Sequence, residues 1–225
     1  NNKPIRTNKA YIAKDGDILS IKSAKQGLRC YLAVTGGFDV PLFMGSAATN
    51  LKIKVGGFNG RKLKAGDILK IGKADKIKNI EKRELPENTY NNPVKVRVVL
   101  GPQDDMFSEN DLLLFSNQQY TVTSDLDRMG IRLWGIALRG KEKLEIISDA
   151  ITFGSIQITN SGMPIILMAD HQTTGGYAKI ATVISADLPK LAQVKPKDKI
   201  SFEIIDIDIA EKIAIKQKKH IDKLF

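Results

Sequence analysis

From residue 94 onward, apolar and polar positions alternate in short runs. VKVRVVL (94–100) puts Val94, Val96 and Val98 on one face, the period-two signature of a half-buried strand. Two further strand-like runs flank Asp127-Arg128-Met129-Gly130, and LEIISDAITFGSIQI reads as strand, turn, strand. PIILMA (164–169) is apolar throughout and of strand length, as suits a strand buried on both faces. KIATVIS follows as another strand and DLPKLAQ as a short helical turn. A helical pattern occurs in two other places. Ser108, with Asp111 three residues on, precedes Leu112 to Phe115 and predicts a capped short helix. Over 207–225, Ala210, Ile213, Ala214, Gln217, Ile221 and Leu224 form one stripe, with Asp208 and Glu211 as a capping pair. That stripe predicts a docking face.

The first 72 residues read as all β. YIAKDGDILSI (11–21) and RKLKAGDILKI (61–71) are near copies of one unit, a turn entering an alternating strand, with a fainter echo in VKPKDKISFEI (194–204). Their spacing is too uneven for a solenoid. LRCYLAV between them predicts a strand with Leu28, Cys30, Leu32 and Val34 on one face, and Cys30 as a core thiol. Asn59-Gly60 suits positive φ in a tight loop. Charge, Pro86 and asparagines dominate 73–93, which predicts a boundary between two β lobes. Residues 1–80 then form a first lobe, 81–93 a linker and 94–225 a second lobe.

Charge changes this picture little. The net charge of +10 invites a nucleic-acid reading. The excess is mostly dispersed lysine, and aromatics at 6% do not interleave with it as a base-stacking groove requires. A solvated lysine surface is the better reading, and no nucleic-acid partner is expected. No apolar run approaches the roughly 18 residues of a membrane span, so no membrane partner is expected either. One cysteine excludes an internal disulfide and fits a reducing, cytoplasmic compartment.

Candidate chemistry concentrates in QITNSGMPIILMADHQTTGGY (157–177), where a buried strand runs into a polar loop, a common way to present a site. His171 and His220 lack metal-ligand spacing, and no metal site is expected. TTGGYAK does not satisfy the phosphate-loop pattern, and no nucleophile elbow is present. Asp170 and His171 are adjacent, so an extended backbone points them apart. What remains is a polar cluster: Asp127, Arg128 and Arg132 in one loop, Gln157 at a strand end, and Asp170, Gln172, Thr173, Thr174 and Tyr177 in the other. Arginine binds a carboxylate through two bonds, and Gln and Thr suit an amide. The arginines equally suit structural pairing with Asp125 or Asp127. The cluster is expected to converge on a concave, solvent-reachable pocket. There Asp170 and Asp127 would be catalytic, and Arg128, Arg132, Gln157, Gln172, Thr173, Thr174 and Tyr177 substrate-binding.

Four motifs in order, YLAVTGGFDVPLFMGSAATNLKIKVGGFNGRKLKAGDILKIG, GPQDDMF, SDLDRMGIRLWG and GSIQITNSGMPIILMADHQTTGGYAKIATVISADLPKLAQVKPKD, resemble the allophanate hydrolase subunit 2 family. That family is also known as the Kip antagonists or the C subunits of 5-oxoprolinase. The resemblance spans about residues 10 to 210. It implies a mainly β, cyclophilin-like barrel architecture in two lobes, with few short helices plus a C-terminal one. It also implies a subunit of an ATP-dependent complex that opens the lactam of 5-oxoproline to glutamate, with the isolated chain inactive. The alternatives are a carboxyltransferase subunit acting on urea or another amide, and a non-catalytic regulator binding a Kip inhibitor-like protein. The implied partners are a subunit 1 (Kip inhibitor-like) protein and a lactam-hydrolase subunit. ATP is used by the assembled complex, biotin arrives on a partner in the carboxyltransferase alternative, and this chain alone binds neither. The charge-poor FMGSAATN (43–50) is expected to expose a partner surface. The chain departs from the family pattern at Ile131, His171 and Ala178, and it resembles a member without the usual N-terminal segment.

Overall fold

The alternation from residue 94 onward closes into a barrel. The computed structural model describes residues 3–74, 77–87 and 89–224. Its strands are β1 (Phe38–Asp39), β2 (Lys70–Ile71), β3 (Val94–Leu100), β4 (Gln119–Leu126), β5 (Gly130–Trp134) and β6 (Glu145–Ala150). They continue as β7 (Ser155–Ile158), β8 (Pro164–Leu167), β9 (Thr174–Tyr177), β10 (Lys179–Val183) and β11 (Lys199–Ile204). Among the described residues three α-helices accompany them: α1 (Glu109–Asn117), α2 (Leu188–Leu191) and α3 (Ile207–Ile221). The chain divides into two compact units, Asn1–Ile21 with Cys30–Glu87, and Lys22–Arg29 with Asn88–Phe225.

The second unit is a closed barrel in the order β10-β3-β11-β4-β5-β8-β7. Only β3 with β11 is parallel; the other pairs are antiparallel. Every second residue points inward, and Val96, Val98, Val122, Ile131, Leu133, Ile156, Ile158, Ile166, Ile200 and Phe202 fill the interior. Each such side chain contributes about 1.5–3 kcal/mol by leaving water. Phe115 of α1 stacks on Phe202 at 4.6 Å between ring centroids, and Tyr120 lies 5.5 Å from Phe202. The N-terminus of α1 carries the expected capping box: the Ser108 hydroxyl accepts from Asp111 N at 3.1 Å, and Asp111 Oδ2 accepts from Ser108 N at 3.2 Å. Outside the barrel, β6 and β9 form a separate two-stranded ribbon.

α3 turns Ala210, Ile213, Ala214 and Gln217 partly inward as the stripe requires, while Ile221 and Leu224 stay exposed. Its N-cap is Asp206 with no side-chain cap bond, which corrects the expected Asp208–Glu211 pair. Asp208 lies within the first turn, where it favours the helix dipole rather than capping.

The first unit corrects the all-β reading. Its regular strand pairing among the described residues is the short β1–β2 ladder, with isolated bridges such as Lys9 to Glu84 and Asn50 to Val55. LRCYLAV is not a strand, and Cys30 is exposed rather than a core thiol. Alternation creates a strand only where a neighbour accepts the backbone bonds. Without a neighbour there is no sheet face for Cys30 to bury. The turns of the repeated unit do form. Lys14 N donates to Asp17 Oδ2, Lys64 N to Asp67 Oδ2 and Lys195 N to Asp198 Oδ2, and each Asp N donates back to the same lysine's carbonyl. The third turn residue has positive φ in all three: Gly16, Gly66 and Lys197. Asn59 and Gly60 also adopt positive φ. A Cβ on Gly60 would meet Lys54 O at 2.1 Å, so that loop requires glycine.

Candidate functional site

Asp127 shapes the loop between β4 and β5. Its Oδ1 accepts from Met129 N at 2.7 Å and from Gly130 N at 3.0 Å, the side-chain turn that aspartate makes readily. The turn presents Arg128 to the end of β8. Arg128 Nε and Nη2 donate to the two oxygens of Asp170 at 2.7 and 2.8 Å. Asp170 N donates to Arg128 O, and Met168 N to Met129 O. The 128–130 turn therefore lies beside residues 167–170. The arginine's carboxylate partner across this junction is Asp170, instead of Asp125 or Asp127. Both side chains are exposed, so the pair contributes about 0–1 kcal/mol to stability. Its chemical effect is larger: the hydrogen bonds from Arg128 hold the Asp170 carboxyl below its ordinary range. Asp170 is thus a fixed anion and a weak proton acceptor at neutral pH.

The barrel register brings a second group together. Arg132 stands opposite Ile165, Ile165 opposite Gln157, and Gln157 opposite Lys179. Residues directly opposite share a face, and their inward neighbours Ile131, Ile166 and Ile156 lie in the core. This row therefore runs along the outside of β5, β8, β7 and β10. Adjacent strands lie about 4.8 Å apart, so the Cα atoms of Arg132 and Gln157 are roughly 10 Å apart. Arg132 is exposed, as are Gln172, Thr173 and Thr174, and Tyr177 is half-buried.

Gln157 departs from the expected solvent-reachable pocket, being only 2% exposed. The β6–β9 ribbon roofs it: Gln157 Nε2 donates to Tyr177 O at 3.1 Å. A Cβ on Gly175 would meet Gln157 Nε2 at 2.9 Å and Ile151 Cδ1 at 2.6 Å. A larger residue there would push the Gln157 amide and Ile151 aside. Gly175, Gly176 and Tyr177 belong to β9 and not to the loop, because β6 supplies a paired neighbour. A separate surface depression of about 600 Å³ at the start of α1 is lined by Asp104, Asp105, Phe107, Ser108, Leu112 and Lys141 among others. It includes none of the predicted residues.

Sequence reasoning missed three side chains at the buried end of the row. Lys179 Nζ donates to Asp149 Oδ2 at 2.6 Å. Gln103 Oε1 accepts from Lys179 N at 3.1 Å, and its amide nitrogen donates to Asp149 Oδ2 at 3.4 Å. The hydrogen bond from Lys179 lowers the Asp149 pKa. A lysine opening the apolar run IATV, and the polar Gln103 inside GPQDDMF, were the available signals. Among the described residues no group of three or more His, Cys, Asp or Glu is placed to hold a metal ion, and no helix is long and apolar enough to cross a membrane.

Known proteins give this geometry its context. Residues 1–204 match the family model for the carboxyltransferase domain, subdomain A and B. The chain is 39% identical to the 5-oxoprolinase C subunit of Haemophilus influenzae over 224 residues, covering 99% of this chain and 71% of that protein. It is 37% identical to the 5-oxoprolinase C subunit of Escherichia coli, covering 94% of this chain and 67% of that one. Its structure resembles the Kluyveromyces lactis urea carboxylase with a TM-score of 0.87 at 29% identity, over 98% of this chain but only 21% of that larger chain. A barrel with an outer row and a covering ribbon, matched in sequence over nearly its whole length, places this chain in the family of the carboxyltransferase domain, subdomain A and B, together with the 5-oxoprolinase C subunits.

Proposed function

We propose that this chain is the C-type subunit of a multi-subunit, ATP-dependent 5-oxoprolinase, which opens the lactam of 5-oxoproline with water to give glutamate. The observation that carries this reading is the 39% identity to a 5-oxoprolinase C subunit across 99% of the chain. The chain is inactive alone and works with a subunit 1 (Kip inhibitor-like) partner and a lactam-hydrolase subunit in the cytoplasm. Residues 1–80 act as one lobe and 94–225 as the other, joined through 81–93.

The site chemistry supports an amide substrate carrying a carboxylate. Arg132, exposed at one end of the row, anchors the carboxylate through its planar fork. Thr173 on the open side, or Gln157 once the ribbon lifts, holds the lactam amide. Asp170, kept anionic by Arg128, accepts the lactam N–H and orients the ring. Asp127 shapes the loop, while Gln172, Thr174 and Tyr177 line the approach. The residues present do not fit a nucleotide: Gly175 and Gly176 lie in a paired strand instead of a phosphate-wrapping loop, and Arg128 is committed to Asp170. ATP is accordingly assigned to a partner subunit.

The fold likeness to a urea carboxylase, at a TM-score of 0.87, favours a second reading. In it the chain is a carboxyltransferase subunit receiving carboxylated biotin on a partner. The assembled complex separates the two. With ATP, conversion of 5-oxoproline to glutamate without biotin supports the first. Biotin-dependent carboxylation of urea, with no glutamate formed from 5-oxoproline, would replace it with the second.

A further inference from the structure

Lys179 opens β10 with its side chain turned outward beneath the ribbon and only 4% exposed. Its counter-ion, Asp149, sits on the ribbon with a side chain 49% exposed. The cation is therefore fixed to the barrel, and the anion belongs to a two-stranded element outside it. Such a ribbon is marginal by itself, and its register breaks between Glu145 and Asp149. Low-stability elements of this kind open locally while the core stays closed.

A buried ammonium left without an anion is strongly unfavourable. An opening that withdraws Asp149 hands the ammonium to water or to another anion, and a carboxylate is the better partner while the site stays largely covered. The surroundings suit a carboxylate: the Gln103 amide already donates to the oxygen that Lys179 binds, and Gln157 stands one strand away. Asp149 is thus an internal occupant in the position a ligand carboxylate would take.

We propose that Lys179 is an anion site with an exchangeable counter-ion: a small carboxylate ligand takes the place of Asp149 on Lys179, with the Gln103 amide as second donor. The site lies at the opposite end of the row from Arg132. It goes beyond the oxoprolinase reading and stands or falls separately, since binding is measured without ATP, partners or turnover.

The test is calorimetric titration of the whole chain with glutarate, using neutral glutaramide as control. Asp149→Asn removes the internal competitor and is expected to tighten glutarate binding by about tenfold or more, the scale of a charge-assisted hydrogen bond. Adding Lys179→Met to Asp149→Asn removes both charges together, leaves no unpaired ion in the barrel, and is expected to abolish binding. Glutaramide is expected not to bind. In the wild-type protein, glutarate should move the NMR titration midpoint of Asp149 upward as its lysine is taken away. The proposal is overturned if Asp149→Asn binds no tighter than wild type, if the double variant retains binding, if glutaramide binds equally, or if the Asp149 midpoint stays fixed.

Discussion

Asp187 has no exposed side-chain surface, yet it remains a carboxylate. Burial pushes its pKa up, but hydrogen bonds from Arg97 and Lys190 outweigh that and leave it lowered. Arg97 Nε and Nη2 donate to its two oxygens at 2.9 and 2.7 Å, Arg97 N adds a third bond at 2.9 Å, and Lys190 Nζ lies 2.9 Å from Oδ1. Asp187→Ala would leave a partly buried arginine unpaired and is expected to cost about 3 kcal/mol, measured by chemical denaturation. Because the folded pKa is depressed, the stabilisation is complete above the unfolded value of about 3.9 and disappears as the pH falls through the folded one. The stability gap between wild type and Asp187→Asn should therefore narrow below about pH 4; a gap independent of pH would contradict the assignment. At the candidate site, Arg132→Lys keeps the charge but loses the fork. It should weaken 5-oxoproline binding to the assembled complex by about 1.5–3 kcal/mol, the scale of a charge-assisted hydrogen bond. An unchanged affinity would remove Arg132 from the site. Single residues were legible where their partners are local, as with Ser108 and Asp111. Lys179 and Asp149 were not, because 30 positions separate them and only the barrel register makes them neighbours.

The repeated turn separates local from long-range determinants. Lys14–Asp17, Lys64–Asp67 and Lys195–Asp198 close in the same way, since an aspartate accepting from a backbone N–H three residues earlier needs nothing but its own segment. Beyond the turn the three copies diverge. The third leads into β11, clamped between β3 and β4; the second leads into two paired residues; the first leads into no strand among the described residues. Apolar runs and alternation thus identified the strands of the barrel, but alternation overstated the first unit, where neighbouring segments do not supply a ladder. The third turn also carries a cost. Lys197 has φ 77° where the other copies have glycine, and a non-glycine residue there is strained by about 1–2 kcal/mol. Lys197→Gly should therefore raise stability, by up to about 1 kcal/mol after the added freedom of the unfolded chain. A lower melting temperature would show that the lysine side chain stabilises the turn by other means.

Across the whole chain, the two units differ in how they satisfy their apolar residues. The barrel has a buried apolar core, although Ile147 and Trp134 of the second unit are 95% and 66% exposed, whereas Ile18, Tyr31, Met44 and Ile68 of the first unit are 75%, 82%, 93% and 84% exposed. A contiguous patch of such groups would mark a protein-binding surface, and the proposed subunit partner is expected to meet the 43–50 segment. Met44→Asp should then weaken co-purification with the subunit 1 partner while leaving the barrel's stability unchanged; undiminished co-purification would place the contact elsewhere. The mainly β class was legible because strands announce themselves by period and by turn residues, while the barrel architecture came from the family resemblance. The site was legible only in outline, since its row is defined by which residues stand opposite each other. The most direct test of the proposed role is an omission experiment on the reconstituted complex, with glutamate release from 5-oxoproline followed in the presence of ATP. Release that is absent without this chain, absent from this chain alone, and restored when it is added back is the predicted result. Equal release with and without it would contradict its role as an oxoprolinase subunit.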